Sequence, residues 1–153
     1  MKNTIKQKFR VVFISHSAGM AGAERSLLEL LDGLKSRGIL CYVVLPEKGI
    51  FEDELKKRLI PYSISPYRFW TMDENEKKEE VEDEISMQAV KLATLLDSVD
   101  PDMLYTNTSV INIGALVARM LGKPHIWHIR EFGEPDYKFM LPIKERSKFV
   151  HEN

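Results

Sequence analysis

The chain has 153 residues, 22 Lys and Arg against 23 Asp and Glu, a formal net charge of −1 and one cysteine. That length suits a single domain with a real core. The charge balance leaves no basic footprint for nucleic acid, and the lone Cys41 excludes a disulfide scaffold and suits a reducing compartment.

Val11 to Ile14 is a short, continuous apolar run, the mark of a strand covered on both faces. It is too short for the apolar core of a signal peptide, and no stretch approaches a membrane span; a cytoplasmic location is expected. Ser15-His16-Ser17 ends the strand, and a small-residue loop through Gly19, Ala21 and Gly22 leads into a helix. Leu27, Leu30, Leu31 and Leu34 give that helix one apolar stripe, and Ser36-Arg37-Gly38 ends it. A strand, small-residue loop and amphipathic helix in this order leave backbone N–H groups at the helix start, aimed where a phosphate fits.

Leu40 to Leu45 reads as the second strand, with Cys41 as an inert core thiol. Phe51, Leu55 and Leu59 suit a short helix with one buried face. Pro61 to Ile64 is a third strand whose proline places it at a sheet edge. Residues 66–83 form an irregular, acidic and mobile segment. In its first part Tyr67, Phe69 and Trp70 accompany Arg68, either covering an apolar edge or contacting a ligand. Its second part, from Asp73, carries eight acids to Glu84 against Lys77 and Lys78. It reads as a solvated loop turning into the start of a helix, where acids suit the dipole.

Ile85, Ala89, Leu92, Ala93 and Leu96 form the next helical stripe. Met103 to Tyr105 is the fourth strand. Thr106 to Ser109 leads into a helix with Ile113, Leu116, Val117, Met120 and Leu121 on one face, and one of Asn107, Thr108 and Ser109 is the expected N-cap. Ile126 to Ile129 is the fifth strand, followed by Arg130 and Glu131, and Tyr137 to Val150 reads as a helix. Regular alternation of strand and helix predicts an α/β fold, a doubly wound parallel sheet ordered 3-2-1-4-5 with helices on both faces. Such sheets bind ligands beyond the carboxyl ends of their strands, here His16 to Gly22, Thr106 to Ser109 and His128 to Glu131. The first loop lacks G-x-G-x-x-G and no acid closes the second strand, which argues against a dinucleotide site.

The stretches GMAGAERSLLELLDGLKSRG, VVLPEKGIFEDEL, PDMLYTNTSVINIGALVARMLGKP and HIWHIREF, in this order, resemble the N-terminal domain of family 4 retaining glycosyltransferases, and the resemblance runs from Arg10 to about Val150. It implies one half of a GT-B architecture, a Rossmann-like acceptor-side domain spanning 1–153, with the C-terminal donor domain missing and the fragment inactive alone. It implies transfer of a sugar from a nucleotide-diphosphate sugar to a glycan, lipid-linked or small-molecule acceptor, with no metal ion and no cofactor. A membrane-bound acceptor would bring the enzyme to the inner membrane face.

Carried onto this sequence, Gly19, Ala21 and Gly22 line the donor diphosphate, although Ala21 stands where the family has glycine. His128 is the catalytic histidine near the reacting sugar carbon. His16, Asn107, Thr108, Ser109, Arg130 and Glu131 are the acceptor-side candidates, with His125 and His151 secondary. Glu24 either steadies the helix start or serves the site, and Arg130 and Glu131 either bind a phosphate-bearing acceptor or pair with each other. Two other readings stay open: a GT-B sugar-nucleotide epimerase, and a non-catalytic glycan-binding subunit of a split transferase.

Overall fold

The computed structural model describes residues 8–72, 75–130 and 148. Among the described residues, five strands and four helices alternate: β1 (Arg10–Ser15), α1 (Gly22–Ser36), β2 (Leu40–Leu45), α2 (Ile50–Lys57), β3 (Tyr62–Ile64), α3 (Lys78–Asp97), β4 (Met103–Asn107), α4 (Ile113–Leu121) and β5 (His125–His128). All neighbouring strands are parallel, in the order β3-β2-β1-β4-β5. The doubly wound 3-2-1-4-5 sheet expected from the sequence is therefore present.

The unbroken apolar run of β1 has a simple cause. Val11 and Phe13 point to one face of the sheet, where Leu27, Leu31, Phe51 and Leu55 of α1 and α2 cover them. Val12 and Ile14 point to the other, under Leu92 and Leu96 of α3 and Ile113 and Val117 of α4. Each such side chain taken fully out of water contributes about 1.5–3 kcal/mol. A polar residue at any of these four β1 positions would face one apolar layer or the other. Cys41 lies in the first layer, and burial pushes its thiol up to about 11, as an inert core cysteine requires.

Four local expectations need correction. Leu59 is 85% exposed, because α2 ends at Lys57 and the chain reverses with Leu59 itself at φ 52°; Ile60 takes the buried place. The buried face of α4 is rotated from the leucine–methionine stripe towards Gly114, Ala115 and Ala118, leaving Met120 half exposed. The reason is close packing: a Cβ on Gly114 would lie 1.9 Å from Thr106 Oγ1, so only glycine lets the helix sit this near β4. The N-cap of α4 is Asn112, beyond Asn107, Thr108 and Ser109. The span 66–83 is not irregular to its end: α3 begins at Lys78, with Val81 already buried. Asp73, Glu131, His151 and, apart from Lys148, the helix expected over Tyr137–Val150 lie outside the described residues.

Candidate functional site

Strand register aligns the carboxyl ends at the switch point. Ser15 of β1 is paired with Asn107 of β4, and Asn107 with His128 of β5, so these three residues form one lateral row. β1 and β4 carry their crossovers to opposite faces, which opens the crevice where such sheets receive ligands.

The loop after β1 is held from several sides. Ser15 Oγ donates to the Ser17 carbonyl at 2.9 Å, and Gly19 N–H donates to Ser17 Oγ at 2.8 Å. Phe51 N–H, at the start of α2, donates to the Ala18 carbonyl at 3.0 Å. Gly49 lies so close that a Cβ there would sit 2.4 Å from that same oxygen. Ala21 is the N-cap of α1 and has no side-chain oxygen to cap the first turn; Glu24 Oε2 instead accepts from Ala21 N–H at 3.0 Å. Glu24 is fully buried, and its Oε1 lies 3.3 Å from His16 Nδ1. The carboxylate thus both steadies the helix start and faces the histidine that ends the strand. His16 also lies against Phe69, ring centroids 6.1 Å apart.

At the ends of β4 and β5 a second network forms on the α1 side of the sheet. Tyr105 Oη bonds His128 Nδ1, and the two rings meet edge to face. Arg130 donates through Nε and Nη2 to Asn107 Oδ1, both at 3.2 Å. Its Nη1 donates to Ser26 Oγ at 2.9 Å, and Nη2 also lies 3.2 Å from His128 Nδ1. Asn107 completes the link by donating to the Ala23 carbonyl at 3.2 Å. Side chains from α1, β4 and the end of β5 are thereby joined in one chain of polar contacts.

Thr108 and Ser109 are buried beside this network. Thr108 has φ 86°, a conformation costly for a β-branched residue and one that concentrates at functional sites. Its buried Oγ1 has no hydrogen-bond partner among the described residues, while its backbone is held on both sides. Thr108 N–H donates to the His128 carbonyl at 2.9 Å, and Trp127 Nε1 donates to the Thr108 carbonyl at 2.7 Å. Trp70 Nε1 donates to the Ser109 carbonyl at 2.9 Å, and the two indoles lie 5.7 Å apart.

The aromatic segment performs the first of the two tasks left open by its sequence, covering an apolar edge. Tyr67 is buried, and its hydroxyl meets the carbonyls of Ser15 and Val44, covering the ends of β1 and β2. Phe69 remains 37% exposed beside His16. Arg68 pairs with Glu76 and Glu84, which ties the acidic stretch and α3 to this edge of the crevice.

Of the residues singled out in the sequence, His16, Gly19 and Ala21 lie on the loop between β1 and α1, and Gly22 opens α1. Asn107, Thr108, Ser109, His128 and Arg130 lie at the ends of β4 and β5. Asn107, His128 and Arg130 are in direct contact. His125 is turned to the opposite face, with Nε2 2.8 Å from Thr106 Oγ1. Sequence reading missed Tyr105, Ser26 and Trp127. Tyr105 looked like one more apolar strand residue, and its partner is 23 positions away. Among the described residues, no group of three or more His, Cys, Asp or Glu is placed to hold a metal ion, and no helix is long and apolar enough to cross a membrane.

No protein-family model and no curated protein matches the chain. Its fold is similar to one domain of GT-B glycosyltransferases. Acinetobacter baumannii MurG matches at 18% identity and a TM-score of 0.62, over 84% of this chain and 38% of its own. Anabaena HepE, in complex with UDP, matches at 17% identity and a TM-score of 0.64, over 93% of this chain and 34% of its own; HepE is also known in complex with UDP-glucose. The chain thus spans little more than a third of these structures. A domain of a Pyrococcus furiosus hydrogenase matches too, at 15% identity and a TM-score of 0.53, over 79% of this chain and 91% of its own. The same fold serves unrelated chemistry, and function has to be argued from the site.

Proposed function

We propose that the chain is the N-terminal, acceptor-side domain of a retaining family 4 glycosyltransferase. It would transfer a sugar from a nucleotide-diphosphate sugar to a glycan, lipid-linked or small-molecule acceptor, on the cytoplasmic side of the membrane. The observation that carries this reading is the row Ser15–Asn107–His128 at the switch point, flanked by the first turn of α1 and by Arg130. Sequence motifs and fold similarity support it, as do the complexes of HepE with UDP and UDP-glucose.

In this reading the N–H groups of the first turn of α1 face the diphosphate, and Gly19, Ala21 and Gly22 line it, the Gly19 and Ala21 amides staying bonded to Ser17 and Glu24. A helix start favours such an anion, and donors fixed before the reaction stabilise leaving-group charge without a metal ion. His128 contacts the donor sugar near the reacting carbon. His16, Asn107, Thr108, Ser109, Arg130 and Glu131 form the acceptor side, where Phe69 offers an apolar face to a sugar ring. A facing donor domain closes the crevice and completes the diphosphate site.

The reading is tested by mapping NMR shift changes of the chain on addition of UDP-glucose and, separately, of short oligosaccharides. Changes confined to His16–Gly22, Asn107–Ser109 and His128–Arg130 are expected. Changes at the opposite, amino-terminal end of the strands, or none with any of these ligands, would overturn it.

A further inference from the structure

Among the described residues, Tyr105 and Arg130 meet His128 Nδ1, and their chemistry decides where the ring proton sits. Arg130 Nη2, 3.2 Å away, belongs to a guanidinium, which only donates. Nδ1 must therefore present its lone pair. Tyr105 Oη, the other neighbour, must then donate as well, and the two donors share one acceptor nitrogen. The phenol is able to do so: burial raises the pKa of Tyr105, so it keeps its proton at neutral pH.

Arg130 cannot turn away without cost. Its Nε and Nη2 are held by Asn107 Oδ1 and its Nη1 by Ser26 Oγ, so leaving His128 means breaking three further contacts. Tyr105 is fixed by packing, its ring 5.2 Å from that of Phe13 in the first core layer. A second proton on the imidazole would set an N–H against a guanidinium N–H and one positive charge against another. Both changes are unfavourable in a half-buried site.

We infer that Tyr105 and Arg130 are positioning residues that hold His128 as the neutral Nε2–H tautomer, so that the ring meets a ligand oxygen as a hydrogen-bond donor. Which ring nitrogen carries the proton is set by the partner of the other, and here both partners push it to Nε2. A neutral donor suits a sugar hydroxyl or ring oxygen. Asn107 and Ser26 serve the same end indirectly, by holding Arg130. The consequence for sugar binding rests on the glycosyltransferase reading; the tautomer does not.

The test is long-range proton–nitrogen NMR of the uniformly 15N-labelled 153-residue chain near neutral pH, with the His128 signals assigned by their loss in His128→Gln. A bare, acceptor-type Nδ1 and a protonated Nε2 are expected in the wild type. A protonated Nδ1, a doubly protonated ring or an even mixture of tautomers would overturn the proposal. Tyr105→Phe combined with Arg130→Gln should shift His128 to a mixture, and an unchanged wild-type pattern in this variant would remove both residues from the role. The wild-type measurement stands alone should the double variant fail to fold. No turnover is involved, so this result and a transfer assay fail independently.

Discussion

Arg130, two residues past the end of β5, grips the single carboxamide oxygen of Asn107 at the end of β4 with two N–H groups, both at 3.2 Å. Asn107 is fully buried and also donates to Ala23 in the first turn of α1. One asparagine thus couples the helix facing the crevice to the arginine beside His128. Asn107→Ala should cost about 1–3 kcal/mol, the usual penalty for stranding buried polar partners, measured by urea unfolding. It should also release Arg130 from its fixed position, which would appear as new backbone shifts at Arg130 and Ser26. A variant as stable as the wild type would show that the coupling is absent in solution.

Gly22 separates folding from binding. It is the first residue of α1, without positive φ, and a Cβ there would meet nothing within 4 Å. Gly22→Ala should therefore stabilise the chain by about 0.5–1 kcal/mol through helix propensity and reduced freedom of the unfolded state. If the loop receives a diphosphate, the same methyl group should weaken nucleotide-sugar binding about tenfold, or 1.4 kcal/mol. Calorimetry on both proteins reads the two effects separately. Greater stability with unchanged binding would remove Gly22 from the ligand's path.

Burial gives the fold an alkaline limit. The thiol of Cys41 is raised from 9.0 to about 11, and the phenol of Tyr67 well above its ordinary value. Both groups keep a proton in the folded chain that the unfolded chain gives up. Their stabilisation is full below the unfolded pKa and is lost as pH rises, from about pH 9 for Cys41 and about pH 10 for Tyr67. Two pKa units correspond to about 2–3 kcal/mol for Cys41. Cys41→Val should flatten the decline between about pH 9 and 10 and leave the steeper loss above it. An identical pH profile for the variant would contradict this assignment.

What the sequence revealed follows from how local each feature is. The residues of β2 read as a strand and form one with the same bounds, because an apolar run flanked by glycine and proline depends on nothing distant. The order of the strands follows from alternation and the geometry of parallel crossovers. Leu59 was misplaced because a helical stripe says nothing of where the helix stops. Met120 was misplaced because the face of α4 is chosen by contact between Gly114 and Thr106 across the sheet. The candidate site was legible as three strand ends, and His16, Asn107, His128 and Arg130 stand there. The partnership of Tyr105 with His128 and the strain at Thr108 are tertiary facts, carried by β4–β5 register and by two indoles from separate segments. No local pattern encodes them.

The central claim is that this crevice belongs to a sugar-transfer enzyme in which His128 meets the donor. The most direct measurement is release of nucleotide diphosphate by the intact gene product, from a panel of nucleotide-diphosphate sugars with candidate glycan acceptors, comparing wild type with His128→Ala. Release should occur with at least one donor and fall about a hundredfold or more in the variant, the scale seen when one preorganised donor is removed, with the circular dichroism spectrum unchanged. Undiminished release in a folded His128→Ala protein, or none from any donor, would contradict the claim.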